Sequence, residues 1–146
     1  MKIEDVIRNK GDRSVATIAP TALVADLVRT LAEKRIGALV VSSDGEHIEG
    51  IVSERDVVRG LAERGGDVVN ATVADLMTPE VHTATPEGTV EEIAHSMTIH
   101  RIRHMPVLVE GRMVGLVSIG DVVKHRIDQL TEERDHLMGY VSSSST

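Results

Sequence analysis

The chain has 146 residues, enough for one domain or for two small units that share a core. It contains no Phe, no Trp and one tyrosine, Tyr140, so its core must be aliphatic, and base stacking on aromatic rings, the usual means of binding single-stranded nucleic acid, is essentially excluded. A formal net charge of −7 at pH 7 disfavours nucleic acid and anionic membranes as partners, while the absence of cysteine excludes disulfides, thiolate nucleophiles and cysteine-based zinc sites.

The first half of the chain predicts a strand, a helix, a hairpin and a second helix, in that order. Pro20 favours extended backbone before it, and the apolar residues that follow are spaced three and four apart, as on one face of a helix. The hairpin turns at Asp44-Gly45, a dipeptide typical of two-residue turns. The predicted positions are a strand around Thr17, a helix with Leu23, Val24, Leu27, Val28 and Leu31 on its apolar face, strands at Ala38–Val41 and Ile48–Ser53, and a second helix from Ser53.

The second half of the chain repeats this order. GLVSIGDVVK at 115–124 shares six of ten residues with GIVSERDVVR at 50–59, and residues 83–107 align with residues 17–41 at an offset of 66. The lead-in segments IEDVI (3–7) and VADLM (73–77) also resemble each other. A second hairpin is predicted, with strands at Met105–Val109 and Met113–Ser118 and a turn at Glu110-Gly111. The chain is therefore an internal duplication.

The predicted fold is α/β (α+β), with two repeats of order strand-helix-strand-strand-helix packed through their sheets about a pseudo-two-fold axis. One unit of about 60 residues buries too little apolar surface to be stable alone, so the two are expected to share a core. The predicted boundaries are 1–64 for the first repeat with its lead-in, 65–72 for a linker, 73–127 for the second repeat, and 128–146 for a helical extension that ends in a disordered tail, SSSST.

Each hairpin ends in a Ser-x-x-Asp sequence at which a helix begins, with Ser53 and Asp56 in the first repeat and Ser118 and Asp121 in the second. Such a sequence caps a helix and needs no ligand to explain it. The same helix start also presents unpaired N–H groups to an anion, and a carboxylate one turn into the helix can accept the hydroxyls of a ribose. The residues by themselves leave both interpretations open.

The repeat resembles the tandem cystathionine-beta-synthase-type (CBS) domain pair, often called a Bateman module, over residues 1–127. The resemblance rests on the paired G-h-h-S-x-x-D segments (h, hydrophobic) and on RIRHMPV at 101–107, which is similar to segments of the nucleotide-binding subunit of AMP-activated protein kinase. It implies an energy-sensing regulatory module, without enzyme activity or a catalytic cofactor, that binds AMP, ADP, ATP or NAD(H) between its repeats. It also implies a disk-shaped homodimer, and it leaves the regulated protein partner unnamed.

Carried onto this sequence, the family pattern implies two clefts. In the first cleft, Asp121 would hold the ribose hydroxyls, Ser118 would face the α-phosphate, and Arg103 and His104 would neutralise phosphate charge. The backbone at Thr17-Ile18 of the other repeat would border the adenine.

In the second cleft, Asp56 and Ser53 would have the same roles, Arg55 would reach a phosphate, and Thr83-Ala84 would lie across the interface. Because Gly37-Ala38 stands where the second repeat has Arg103-His104, the Asp121 cleft is expected to bind phosphates more tightly.

Other interpretations of the sequence are open but less favoured. The chain has seven histidines, but no HExxH pattern accompanies them, so surface histidines are expected and a metal site is not. The chain contains no GxSxG sequence, the pattern that would indicate a catalytic serine. The absence of an apolar run of ~20 residues and of a charged-then-apolar leader indicates a cytoplasmic protein. The alternative function is a ligand-independent protein–protein interaction module, in which both Ser-x-x-Asp sequences only cap helices.

Overall fold

The structure, a computed structural model, describes residues 1–10 and 15–144. Two repeats follow each other along the chain in the predicted order, each ending in a helix that starts directly after a hairpin. The helices are α1 (Ile3–Asn9), α2 (Val24–Lys34), α3 (Glu54–Arg64), α4 (Val73–Leu76), α5 (Val90–His100) and α6 (Ile119–Ser144), and the strands are β1 (Thr17–Ile18), β2 (Ala38–Val41), β3 (Gly50–Ser53), β4 (His104–Val109) and β5 (Arg112–Ser118).

The sheet of the first repeat has the order β1-β2-β3. β1 runs parallel to β2, and β2 pairs with β3 in antiparallel register, so that Ala38 lies opposite Ser53. All four residues of β2 are buried, as expected for a central strand covered on both faces. The predicted two-residue turn at Asp44-Gly45 is instead part of the longer loop 42–49, in which Gly45 has a positive φ of 82° that suits glycine. β3 begins at Gly50 rather than at Ile48, so the predicted strand was two residues too long at its start.

The sheet of the second repeat has only two regular strands, β4 and β5, paired with His104 opposite Ser118. The predicted first strand of this repeat is reduced to a single parallel bridge between Ala84 and Val107. Its two hydrogen bonds, Ala84 N to Pro106 O and Leu108 N to Ala84 O, are both 2.9 Å long. A bulge at Val107/Leu108 interrupts the ladder at this point, which limits regular pairing there.

The two lead-in helices exchange partners between the repeats. Ile3 and Val6 of α1 are buried in the core of the second repeat, together with Val90 and Ile93 of α5. Val73 of α4 is buried in the core of the first repeat. Each short helix therefore covers the apolar face of the opposite repeat and so joins the two cores.

Close packing of these lead-in helices explains the glycine at the start of each G-h-h-S-x-x-D segment. A Cβ on Gly115 would lie 2.9 Å from Ile7 Cδ1, and a Cβ on Gly50 would lie 2.8 Å from Met77 Sδ and 2.9 Å from Thr78 O. Any larger residue would push α1 or the segment after α4 away from the sheet.

The predicted linker and the carboxyl-terminal region both contain helical segments. Gly65–Asn70 of the linker form a 3₁₀ helix whose Val68 is buried. α6 continues to Ser144, into the SSSST tail, and residues 145–146 lie outside the described part of the chain. Once a helix of this length is nucleated, adding one more residue costs little, even for serine.

Candidate functional site

Both Ser-x-x-Asp sequences form the helix caps that the sequence predicts. Oδ2 of Asp56 accepts hydrogen bonds from Ser53 N at 2.8 Å and from Ser53 Oγ at 3.1 Å. Oδ2 of Asp121 accepts from Ser118 N at 2.9 Å and from Ser118 Oγ at 3.1 Å. Among the described residues no hydrogen bond is made to Oδ1 of either carboxylate, so each aspartate caps its helix with one oxygen and retains a second acceptor.

A pocket of about 440 Å³ lies beside the first of these helix starts, and we call it the Ser53 pocket. One wall comes from the first repeat and the other from the second, so the pocket lies across the interface. Four arginines and three carboxylates line it, with the histidines His82, His100 and His104. The charged lining residues are Glu54, Arg55, Asp56 and Arg59 from the first repeat and Glu80, Arg101 and Arg103 from the second.

A second pocket of about 740 Å³, the Ser118 pocket, occupies the pseudo-symmetric position. Ser118, Gly115 and His104 line it from the second repeat. The first repeat and α1 contribute cations and apolar side chains, and no carboxylate is among the described lining residues. These contributed residues are Ile7, Lys10, Val15, Ala16, Lys34, Arg35, Ile36, Gly37 and Ala38, and Leu116 completes the lining.

Arg103 lies in a different pocket from the one that the resemblance implied. It lines the Ser53 pocket with Asp56, and it is not among the described residues that line the Ser118 pocket. His104 pairs directly with Ser118 and borders both pockets, and Arg103 precedes β4, in the segment that follows α5. Both members of the basic pair predicted for one cleft therefore line the Ser53 pocket, and of the two only His104 also lines the Ser118 pocket.

The backbone segments predicted to border adenine lie one or two residues from the pockets. Val15 and Ala16, rather than Thr17 and Ile18, line the Ser118 pocket, because Thr17-Ile18 pair with β2. In the Ser53 pocket, Val81 and His82 take the place predicted for Thr83-Ala84, because Ala84 pairs with Val107. The predicted Arg55 does line this pocket.

Two arginines that sequence reasoning missed are brought to the pockets by the ends of α2 and α5. Arg35 and Arg101 follow these helices with the same left-handed backbone, φ 54° and ψ 46°. This shared conformation turns the chain from each helix into its hairpin and places one arginine in each pocket. Their recurrence at an offset of 66 was the signal that could have identified them.

Lys10 is a further residue that sequence reasoning missed, and no local signal marks it. Its Nζ donates to Asp121 Oδ2 at 2.9 Å and to Leu116 O at 2.8 Å, across most of the length of the chain. Burial raises the pKa of Asp121, but the Ser118 amide and the Lys10 ammonium outweigh it, so the pKa lies below its usual value. Asp121 is therefore ionised at neutral pH.

His104 lies between the two pockets in its uncharged form. Burial lowers the pKa of His104, Lys10 and Arg103 lower it further, and Asp121 only partly opposes them. At neutral pH the imidazole can therefore donate or accept a hydrogen bond, but it does not supply the positive charge implied by the resemblance.

Two further observations concern the described residues as a whole. They contain no cluster of three or more His, Cys, Asp or Glu side chains arranged to hold a metal ion, although the rings of His82 and His100 stack with centroids 3.7 Å apart. No helix among them is long and apolar enough to cross a membrane.

Comparison with known proteins identifies the family. The CBS domain family model matches residues 3–63 and 73–128. The mitochondrial CBS domain-containing protein CBSX3 of Arabidopsis thaliana is 38% identical in an alignment that covers 95% of this chain and 71% of that protein. A solved CBS-domain-containing protein from Agrobacterium tumefaciens is 36% identical, with a TM-score of 0.81 over 86% of this chain and 92% of its own.

A more distant structure, the CBS domain pair of protein MJ0100 in complex with 5-methylthioadenosine and S-adenosyl-L-methionine, is 21% identical. It has a TM-score of 0.77 over 88% of this chain and 98% of its own, and at this identity it shows the fold alone. The two family matches together span most of the sequence, and the repeats fold as that family does. The chain belongs to the CBS domain family and is a CBS domain pair, a regulatory module.

Proposed function

We propose that this regulatory module binds adenine nucleotides in the Ser53 and Ser118 pockets and catalyses no reaction. One observation carries the proposal: each pocket joins a helix start of one repeat, with its serine hydroxyl, to cationic side chains of the other repeat. The candidate ligands are AMP, ADP, ATP and NAD(H), all of which contain an adenosine and at least one phosphate.

The chemistry of the pockets supports this ligand class. A helix start and a serine hydroxyl donate to phosphate oxygens, and arginine or lysine neutralises their charge. Asp56 lines the Ser53 pocket, and its Oδ1 can accept from a ribose hydroxyl without loss of the helix cap. Asp121 is not among the described lining residues of the Ser118 pocket, but it caps the helix whose Ser118 does line that pocket, and we propose the same role for its Oδ1. Volumes of about 440 and 740 Å³ lie within the range of small-molecule sites. The two compounds named for the MJ0100 complex share the adenosine of the proposed ligands but carry no phosphate.

The proposed mechanism is differential binding. A nucleotide in either pocket contacts both repeats at once, so it stabilises the arrangement in which they are close together. The ligand binds one arrangement of the repeats more tightly than the other, and this difference in binding free energy is the largest signal that the module can pass to a partner.

The assembly and the cellular location remain proposals. We propose a homodimer in which α3 and α6 of two chains meet, because both helices expose large apolar side chains, including Val58, Val123, Ile127 and Leu130. Sedimentation velocity tests it: a dimer that Ile127→Asp converts to monomer supports this surface, and a monomeric native protein would contradict it. A cytoplasmic location stays a prediction, since the Arabidopsis relative is named as mitochondrial.

Thermal unfolding with a panel of nucleotides tests the proposed binding. A ligand at a hundred times its dissociation constant adds ~2.7 kcal/mol to the free energy of unfolding, which is a visible shift in melting temperature. Unchanged melting curves with AMP, ADP, ATP and NADH would instead favour the alternative, a ligand-independent interaction module.

A further inference from the structure

We propose that the Ser118 pocket prefers ligands of higher negative charge than the Ser53 pocket does, and that Lys10 and Glu80 set this difference. The inference rests on the proposed nucleotide binding and deepens it, because it assigns a charge class of ligand to each pocket.

Lys10 and Glu80 occupy corresponding positions in the two pockets. Ile7 packs against Gly115 and Met77 packs against Gly50, which aligns the two lead-in segments at an offset of 70. The same offset aligns Lys10 with Glu80. Lys10 lines the Ser118 pocket and Glu80 lines the Ser53 pocket, so the duplication has placed opposite charges at equivalent places.

The described lining residues of the two pockets differ in net charge as a result. In the Ser53 pocket, four arginines face the three carboxylates of Glu54, Asp56 and Glu80, which leaves an excess of one positive charge. In the Ser118 pocket, the described charged lining residues are Lys10, Lys34 and Arg35, an excess of three. Asp121 next to this pocket is already paired with Lys10, and counting it still leaves an excess of two.

This difference acts on the phosphates of the ligand. Two opposite unit charges 4 Å apart attract each other by ~1 kcal/mol in water, which is about a fivefold change in affinity, and salt reduces it. Each additional negative charge on the ligand's phosphates therefore contributes more binding free energy in the Ser118 pocket than in the Ser53 pocket. Lys10 also neutralises Asp121, which caps the helix that begins at this pocket, whereas Glu80 adds a further carboxylate to the pocket that Asp56 lines.

Isoleucine δ1-methyl NMR can follow both pockets in one sample of the full chain. Ile7 and Ile36 report on the Ser118 pocket, and Ile51 and Ile102 report on the Ser53 pocket. Titrations at low salt use AMP, ATP and inorganic tripolyphosphate. We expect the ratio of ATP affinity to AMP affinity to be at least about fivefold higher at the Ser118 methyls than at the Ser53 methyls.

Single substitutions test the two residues separately. Lys10→Met should lower the ratio of ATP affinity to AMP affinity at the Ser118 pocket by about fivefold, and Lys10→Arg should leave that ratio unchanged. Glu80→Gln should raise the same ratio at the Ser53 pocket. Lys124→Met and Glu63→Gln are the matched controls, because both residues are exposed and line neither pocket. The methyl spectra of the unliganded variants show whether each one is folded.

Equal ratios in the two pockets, or substitutions that change them no more than the controls do, would overturn the inference. Failure of the proposed function gives a different result, in which neither nucleotide shifts any methyl. Tripolyphosphate then decides: shifts confined to Ile7 and Ile36 support the charge assignment, and equal shifts or none overturn it.

Discussion

Lys10 Nζ lies 2.9 Å from Asp121 Oδ2, so a residue just after the first helix is ion-paired with the helix cap of the second repeat. The pair is partly buried, with side-chain exposures of 31% and 20%. It fixes the end of α1 on the second repeat and brings a cation to the Ser118 pocket. The contact therefore links the exchange of the lead-in helices to the chemistry of the candidate site.

Lys10→Met should destabilise the fold by about 1 kcal/mol, because it removes a charge-assisted hydrogen bond that is neither fully exposed nor fully buried. It should also raise the pKa of Asp121, since the ammonium helps to keep that carboxyl ionised. Urea unfolding and NMR titration of the carboxyl carbon measure the two effects. Lys124→Met, at an exposed position, is the control, and an equal loss of stability in both variants would contradict a structural role for this ion pair.

Asp121→Ala should weaken AMP binding by about 1–3 kcal/mol, the range for a hydrogen bond to a charged group, as measured by calorimetric titration. Asp56→Ala should weaken the tighter of the two AMP binding events less, because we assign that event to the Ser118 pocket, whose described lining has the larger net positive charge. Loss of AMP affinity should also exceed loss of ATP affinity in Asp121→Ala, since the substitution frees Lys10 for phosphate.

Asp75→Ala is the matched control for both substitutions. Asp75 caps α4 by accepting a hydrogen bond from Thr72 N at 3.3 Å. Thr72 lines neither pocket, whereas Ser53 and Ser118, the cap partners of Asp56 and Asp121, each line one. It should lower stability as a lost cap does and leave AMP affinity unchanged. Equal weakening of AMP binding in all three variants would mean that the carboxylates act only as caps, and equal effects at Asp56 and Asp121 would contradict the order of the pockets.

Stability should decrease as the pH falls through the range in which His104 titrates. Burial keeps the pKa of His104 below its unfolded value of 6.5, so the unfolded chain takes up its proton first. This contribution to stability is present above pH 6.5 and is lost as the pH falls from there through the folded pKa.

Urea unfolding between pH 5 and pH 8 measures this effect. His104→Gln keeps a polar side chain of similar size but cannot titrate, so its stability should vary less with pH over this range. A pH dependence as steep as that of the native protein would show that other groups are responsible.

Gly50→Ala and Gly115→Ala should each destabilise the fold by roughly 1–3 kcal/mol, the usual cost of overpacking. The Cβ added at position 50 would meet the carbonyl oxygen of Thr78 at 2.9 Å, and backbone cannot yield as a side chain can, so this variant should be the less stable one. Gly66→Ala is the control, because no atom lies within 4 Å of its added Cβ. Chemical denaturation measures all three variants.

The clash at Gly115 involves only the side chain of Ile7, and Cδ1 is its nearest atom. Ile7→Val removes that atom and should recover part of the stability lost in Gly115→Ala. Additive losses in the double variant would contradict the proposed close approach of α1 to the sheet.

The elements that recur along the chain were predictable because their signals are local. Apolar spacing marked the helices, Glu110-Gly111 marked the turn of the second hairpin, and two Ser-x-x-Asp sequences marked capped helix starts. Strand ends and the short bridge at Ala84 were predicted less well, because pairing depends on neighbours that are remote in sequence.

The amino-acid sequence alone determined that this protein is a duplicated fold with two capped helix starts, since duplication and helix caps depend on spacing within each repeat. Only the tertiary structure decided which side chains share a pocket. Arg103 lines the Ser53 pocket together with residues of the first repeat, and Lys10 reaches Asp121 because α1 packs on the second repeat. Contacts between distant segments depend on how the two repeats pack against each other, and no local pattern in the chain encodes that arrangement.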